Sequence, residues 1–165
     1  MIANITTGKN AYGILNYNQL KVNKGKASVL STKLIFEDPD GKYNVSKMAE
    51  EFHNSMPECI RTEKPIVHIS LNPDPKDEID DELLITMAEE YLDGMGWGNQ
   101  PHIIYKHTDI ERVHIHIVTT QVDITGRKIN DSHRNRRSVA VTEELEKKYH
   151  LHPAKKQKQV TLWQL

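Results

Sequence analysis

The sequence predicts an α+β fold, in which a mainly antiparallel sheet has helices packed on one face and carries three histidines on the other. Strand-like runs alternate with helix-like runs along the chain, which favours strands and helices packed in layers. Two of the strand-like runs, "HIIYKHT" and "VHIHIV", are separated by a short polar connection, as in a hairpin. Hairpins join antiparallel strands, and such sheets can leave one face without helices.

The other elements follow from apolar spacing and turn residues. In chain order the sequence predicts a strand at "MIANITT", a helical tendency at "NAYGILNYNQL", a strand before the Asp-Pro-Asp-Gly turn, and a strand at "KPIVHISLN". The run "NVSKMAEEFHNSM" predicts a helix from Asn44, because Val45, Met48 and Phe52 form one stripe and Pro57 follows its end.

Two more helices are predicted further along the chain. One runs from about Asp80 to Leu92 and is terminated by "DGMGWG". The other is "SVAVTEELEKKYH", which follows the polar turn "DITGRKIND". No repeat or low-complexity tract interrupts these elements, so we expect residues 1–165 to form a single domain.

The stretch "YKHTDIERVHIHIVTTQVD" contains three of the nine histidines of the chain. His114 and His116 are two residues apart and therefore lie on the same face of a strand, while the apolar residues between and beside them occupy the opposite face. A hairpin would bring His107, at the end of the first strand, opposite this pair. The sequence thus predicts three converging imidazoles.

Three neutral imidazoles are good ligands for a divalent transition metal. Three protein ligands also leave open coordination positions, which is typical of a catalytic rather than a structural site. The pattern therefore predicts a three-histidine metal site formed by His107, His114 and His116. We interpret His68, on a separate strand, as a histidine satisfied within the sheet rather than as a fourth ligand.

Composition limits the function classes. The net charge is -1, so the chain as a whole is not basic, but Arg127 to Lys158 contains ten Lys or Arg against four Asp or Glu. The single cysteine, Cys59, excludes an internal disulfide framework. With no apolar signal core at the start and no run of membrane-spanning length, we expect a cytoplasmic protein without membrane insertion.

The basic excess includes the cluster "SHRNRRS", which follows the histidine strand by fewer than twenty residues. Guanidinium groups bind phosphate well, so the cluster can lie beside the metal and hold phosphates, or it can be a solvated loop. The candidates for this phosphate contact are Lys128, Arg134, Arg136 and Arg137.

The segment "HTDIERVHIHIV" resembles the three-histidine motif of the relaxase/mobilisation nuclease family, the HUH-type endonucleases of plasmid and conjugative-element transfer. The opening "MIANITTGKNAYGILNYNQLK" is similar to the first motif of that family, in which a tyrosine follows a short strand and a Gly-bearing turn. "KPIVHISLNPDP" and later segments resemble the family in kind and order, so the likeness covers most of the chain. Family domains with their carboxy-terminal extensions usually run well beyond 165 residues, so we expect a trimmed or minimal form.

The resemblance implies metal-dependent, strand-specific DNA nicking at a transfer origin. A tyrosine hydroxyl attacks single-stranded DNA and gives a 5′-phosphotyrosyl intermediate and a free 3′ hydroxyl, which initiates conjugative mobilisation. The implied cofactor is a divalent metal ion, Mn or Mg first, with Zn, Ni or Co as alternatives. The implied partners are single-stranded origin DNA, accessory DNA-binding proteins and a coupling protein.

Within the motifs, Tyr17 matches the nucleophile of the family, while Tyr12 lies five residues earlier. Five residues exceed one helical turn, so the two tyrosines would face different directions. Asp109 matches the acid of the histidine motif and is a candidate to orient a metal ligand, although Asp also commonly shapes turns. Glu111 and Asp123 are the other nearby acids.

Two alternatives from other classes remain. A cupin-type metal-dependent hydrolase or oxygenase also uses His-x-His, but it would have an almost wholly β chain, with a Glu soon after that pair and another His downstream. A non-cleaving DNA-binding or replication-accessory module would keep the fold and lose only the chemistry. The second alternative predicts that Tyr17→Phe changes no activity, whereas the relaxase reading predicts loss of nicking.

Overall fold

A computed structural model describes residues 1–110 and 112–154. Within them, strands and helices alternate as the sequence predicts. The strands are β1 (Ile2–Gly8), β2 (Ala27–Lys33), β3 (Ile66–Asn72), β4 (His102–His107) and β5 (His114–Thr120). The helices are α1 (Ala11–Asn23), α2 (Val45–Asn54), α3 (Asp81–Met95) and α4 (Arg134–Lys148). No helix among these residues is both long and apolar enough to cross a membrane.

The strands form one sheet in the order β1-β3-β5-β4-β2, and each neighbouring pair is antiparallel. The predicted hairpin is the β4–β5 pair, whose register places His107 opposite His114 and Tyr105 opposite His116. The α+β class, the antiparallel sheet and the histidine hairpin are therefore confirmed.

Helices cover both faces of the sheet, which corrects the expectation that they lie on one face. Helices α3 and α4 pack on the face that carries Ile69, Leu71 and Ile117. Helices α1 and α2 pack on the histidine face, where apolar residues such as Ile103 and Val118 continue the strands beyond the histidines. The histidines occupy only one end of that face, so its other end can bury the apolar stripes of two helices.

Helix ends agree with the capping residues of the sequence where these are local. The Asn44 side chain accepts a hydrogen bond from the Lys47 amide and begins α2, as predicted. Helix α3 begins after Asp80, which caps the Leu83 amide, and it ends at Gly96 in the left-handed conformation (φ 87°). Helix α4 begins at Arg134, earlier than predicted, because its first turn is polar and shows no apolar period.

Candidate functional site

Three imidazoles converge at one end of the β4–β5 hairpin. The ring centroids lie 4.0 Å apart for His107 and His116, 5.2 Å for His107 and His114, and 5.0 Å for His114 and His116. One ring nitrogen from each residue lies within 4.8 Å of the others. Donors bound to one ion at about 2.1 Å lie within about 4.2 Å of one another, so small ring movements would allow all three to bind one metal.

Burial keeps two of these rings neutral. Loss of hydration, together with the neighbouring imidazoles, lowers the pKa of His107 to about 4 and that of His116 to about 3. At neutral pH their lone pairs are therefore free for a metal rather than occupied by protons. This donor set fits a divalent transition metal.

We expect the metal-free protein to lose stability as the pH falls below about 6.5. The unfolded chain then binds protons that folded His107 and His116 do not accept until about pH 4 and about pH 3. The cost should be about 1 to 2 kcal/mol per imidazole at pH 5. Urea denaturation at pH 7 and pH 5, with EDTA present, measures it. Between pH 7 and pH 5, His107→Gln should lose less unfolding free energy than the wild type, because it lacks one of the two imidazoles. An equal loss in both proteins would contradict this account.

Two side chains that the sequence analysis did not select as site residues lie within hydrogen-bond distance of the clustered imidazoles. The buried Asn18, on α1, places its Oδ1 2.7 Å from His107 Nε2. His68, on β3, places its Nε2 2.9 Å from His116 Nδ1, and the two rings stack. His68 is thus satisfied within the sheet, as interpreted from the sequence, but its partner is one of the three clustered histidines.

Tyr17 lies at the edge of the cluster. Its ring stacks toward His107 with a centroid distance of 6.4 Å, and the Lys21 ammonium lies 5.8 Å from the tyrosine ring centroid. The residue is 51% exposed, so its side chain is accessible from solvent. Tyr12 is also exposed on α1, but in the described part of the chain only Tyr17 and Tyr105 among the tyrosines have ring contacts with the histidines.

Asp109 lies beside the cluster but binds a lysine. Its Oδ2 accepts a hydrogen bond from Lys21 Nζ at 2.6 Å, and this contact lowers the pKa of the carboxyl group. Its other oxygen, Oδ1, is buried without a hydrogen-bond partner and lies 4.0 Å from His114 Nε2. That distance is too long for a hydrogen bond. Glu111 lies outside the described residues, and Asp123 binds within its own turn.

The predicted basic residues lie at the far end of β5 from His114 rather than beside the histidines. Arg134 contacts Gln121, which follows β5, and five residues of extended chain from His116 span about 16 Å. Lys128 pairs with Asp131, and Arg137 donates to the backbone oxygens of Asn130 and Met95. Arg136 is exposed on α4. Arg137 therefore fastens α4, whereas the other three remain accessible.

A cavity of about 460 Å³ opens beside two of these residues. Lys128 and Arg134 line it together with Arg61 and Lys64, which the sequence analysis did not select. Among the described residues, no ion pair holds Arg61 or Lys64. Arg61 and Lys64 lie in a segment that also contains acidic residues, so the sequence shows no basic cluster there. Only their position in the fold indicates a role.

Comparison with known protein families shows which family the chain belongs to. Residues 17–151 match the nuclease domain of the MobA/VirD2-like relaxases. The chain belongs to this relaxase family. The matched range begins at Tyr17 and includes all three clustered histidines, so the resemblance stated from the sequence is confirmed. No curated protein matches the chain.

Membership of the relaxase family decides one of the alternatives. The family supports a DNA-nicking role in mobilisation, an endonuclease activity and binding of single-stranded DNA. The cupin-type alternative is wrong, because residues 17–151 match the relaxases, helices cover both faces of the sheet in the described part of the chain, and the third histidine precedes the His-x-His pair.

Proposed function

We propose that this relaxase domain nicks one DNA strand at the transfer origin of its own plasmid or conjugative element through a phosphotyrosyl intermediate on Tyr17. The observation that carries the proposal is the position of the Tyr17 ring, 6.4 Å from that of His107 and open to solvent. A nucleophile and a three-histidine cluster beside each other can act on the same phosphate.

The proposed step conserves the energy of the phosphodiester. The Tyr17 oxygen loses its proton and attacks phosphorus, a bond forms between them, and the bond from phosphorus to the 3′ oxygen breaks. The released 3′ oxygen takes up a proton and becomes a hydroxyl. Attack of that hydroxyl on the phosphotyrosine reverses both changes and rejoins the strand.

His107, His114 and His116 would hold the divalent metal of the proposal, Mn or Mg first and Zn, Ni or Co as alternatives. When bound, the metal would supply Lewis-acid polarisation of the phosphate oxygens. The side chains themselves orient the site. Asp109 binds Lys21 and so fastens the end of β4 to α1, the helix that carries the nucleophile.

The DNA strand has a polar surface beside the cluster. On the histidine face, Ser70 lies opposite His116, and the Asn4 and Asn72 amides donate to its hydroxyl. Asn4 is exposed, and Ser70 and Asn72 are partly so. Hydroxyl and amide groups are uncharged and can form hydrogen bonds with sugar and phosphate oxygens. We therefore propose that the single-stranded DNA runs along β1 and β3.

The direct test uses labelled single-stranded oligonucleotides tiled across the DNA that flanks the gene of this protein. After incubation with Mn²⁺, denaturing electrophoresis should show one oligonucleotide that becomes covalently joined to the protein and releases a fragment with a 3′ hydroxyl. Cleavage without an adduct would identify a hydrolytic nuclease instead. Binding with neither product would favour the non-cleaving accessory module.

The cavity lined by four basic residues, and also by Glu63 and Asp131, gives a separate prediction about DNA binding. We propose that Arg61 and Lys64 contact DNA phosphates together with Lys128 and Arg134, which line the same cavity. Arg61→Ala with Lys64→Ala should weaken binding and lower the slope of log affinity against log salt by about 1.4, because two counterion-releasing contacts are lost. Fluorescence anisotropy over a salt series measures this slope.

The matched control for that prediction is Lys47→Ala with Lys147→Ala. Both lysines are exposed and neither lines the cavity. The control loses the same net charge, so it separates a local contact from a general electrostatic effect. Equal slopes for the two double variants would exclude the cavity as a phosphate site.

A further inference from the structure

We propose that Asn18 is a positioning residue that fixes the ring proton of His107 on Nε2, so that His107 offers Nδ1 to a metal. The Asn18 side chain is 0% exposed, and its Oδ1 lies 2.7 Å from His107 Nε2. Only the consequence for nicking rests on the proposed function. The protonation state of the ring can be measured in the metal-free protein.

The orientation of the Asn18 amide follows from its second hydrogen bond. Its Nδ2 donates to the Ile14 carbonyl oxygen at 2.9 Å, one turn earlier in α1. The reverse orientation would place Oδ1 against that carbonyl oxygen, so two acceptors would face each other. The carbonyl oxygen of Asn18 must therefore face His107.

An amide oxygen can only accept a hydrogen bond, so the His107 nitrogen that faces it must donate. In a neutral imidazole one nitrogen carries the proton and the other carries the lone pair. With Nε2 protonated, the lone pair of His107 is on Nδ1. The opposite tautomer would leave two lone pairs 2.7 Å apart in a buried site, with neither hydrogen-bonded.

The same contact joins the two halves of the site. Asn18 follows Tyr17 directly on α1, and His107 ends β4, 89 residues further along the chain. Tyr17 is exposed and Asn18 is buried, so one of these consecutive residues faces solvent and the other faces His107. Loss of this hydrogen bond should therefore change both the metal affinity and the position of the nucleophile.

The test reads the tautomer directly. Long-range ¹H–¹⁵N correlation spectra of the metal-free protein, labelled with ¹⁵N in the histidine rings, distinguish Nδ1-protonated from Nε2-protonated rings. We expect wild-type His107 to be protonated on Nε2. Asn18→Leu, similar in size but without an acceptor, should lose this preference and bind Mn²⁺ about ten- to a hundredfold more weakly in calorimetry. Asn18→Asp keeps an acceptor and should keep the tautomer.

Leu15→Ala is the matched control, because Leu15 is buried on the same helix and belongs to the apolar core rather than to the histidine cluster. It should lower stability and leave both the tautomer and the Mn²⁺ affinity unchanged. A wild-type His107 protonated on Nδ1 would overturn the proposal. Because the wild-type spectrum alone shows this tautomer, the test does not depend on whether a variant folds. A correct tautomer without nicking would leave this inference standing and refute the proposed function.

Discussion

Tyr17→Phe should abolish the covalent protein–DNA adduct and leave binding of single-stranded DNA nearly unchanged. The substitution removes only the oxygen that would form the bond to phosphorus, so we expect nicking to fall by at least about a thousandfold. Tyr17 is 51% exposed, and phenylalanine keeps the ring beside His107, so the free energy of unfolding should change by less than about 0.5 kcal/mol. Denaturing electrophoresis with a labelled oligonucleotide measures the adduct, and anisotropy measures binding.

Tyr12→Phe is the control for this result. Tyr12 lies on the same helix and is 47% exposed, so its substitution changes the surface by the same atom. It should keep full adduct formation, because its ring has no described contact with the histidines, unlike that of Tyr17. An adduct that persists in Tyr17→Phe and disappears in Tyr12→Phe would move the nucleophile one turn and more along α1.

The histidine cluster could be predicted because its geometry is local. His107 and His114 belong to two strands joined by a short turn, and strand alternation places His116 on the same face as His114. A sequence carries that information within a dozen residues. The pairing of neighbouring strands then needs only the turn, which the polar connection indicates.

The partners of these rings could not be predicted, because they come from distant parts of the chain. Asn18 is 89 residues from His107, and His68 is 48 residues from His116. The first contact requires α1 to pack on the histidine face of the sheet, and the second requires β3 to pair with β5. Neither arrangement follows from local periodicity.

The basic cluster does not lie beside the histidines, which was one of two positions that the sequence left open, for a related reason. Proximity along the chain suggested that Arg134 and its neighbours lie beside the histidines. Strand β5 instead carries the chain away from His116, and Gln121 with the turn after it places Arg134 at the other end of the sheet. Short sequence separation brings residues together when a turn reverses the chain between them, and a strand separates them by about 3.3 Å per residue.

His116→Asn should remove most of the metal affinity of the site and most of its nicking activity with it. An imidazole nitrogen is lost from a set of three, and the amide that replaces it is a weak ligand for transition metals. We expect Mn²⁺ affinity to fall by more than about a hundredfold, since changes even to groups behind metal ligands cost ten- to a hundredfold. Calorimetry measures the affinity, and the adduct assay measures nicking.

His133→Asn is a suitable control for the histidine substitution. His133 is exposed, precedes α4 and has positive φ (52°), which Asn tolerates well. It should keep both metal affinity and nicking.

EDTA should stop nicking by the wild type, and added Mn²⁺ should restore it. If His116→Asn bound Mn²⁺ as tightly as the control, the metal would lie elsewhere, and the three histidines would then orient the DNA phosphate through their ring protons instead.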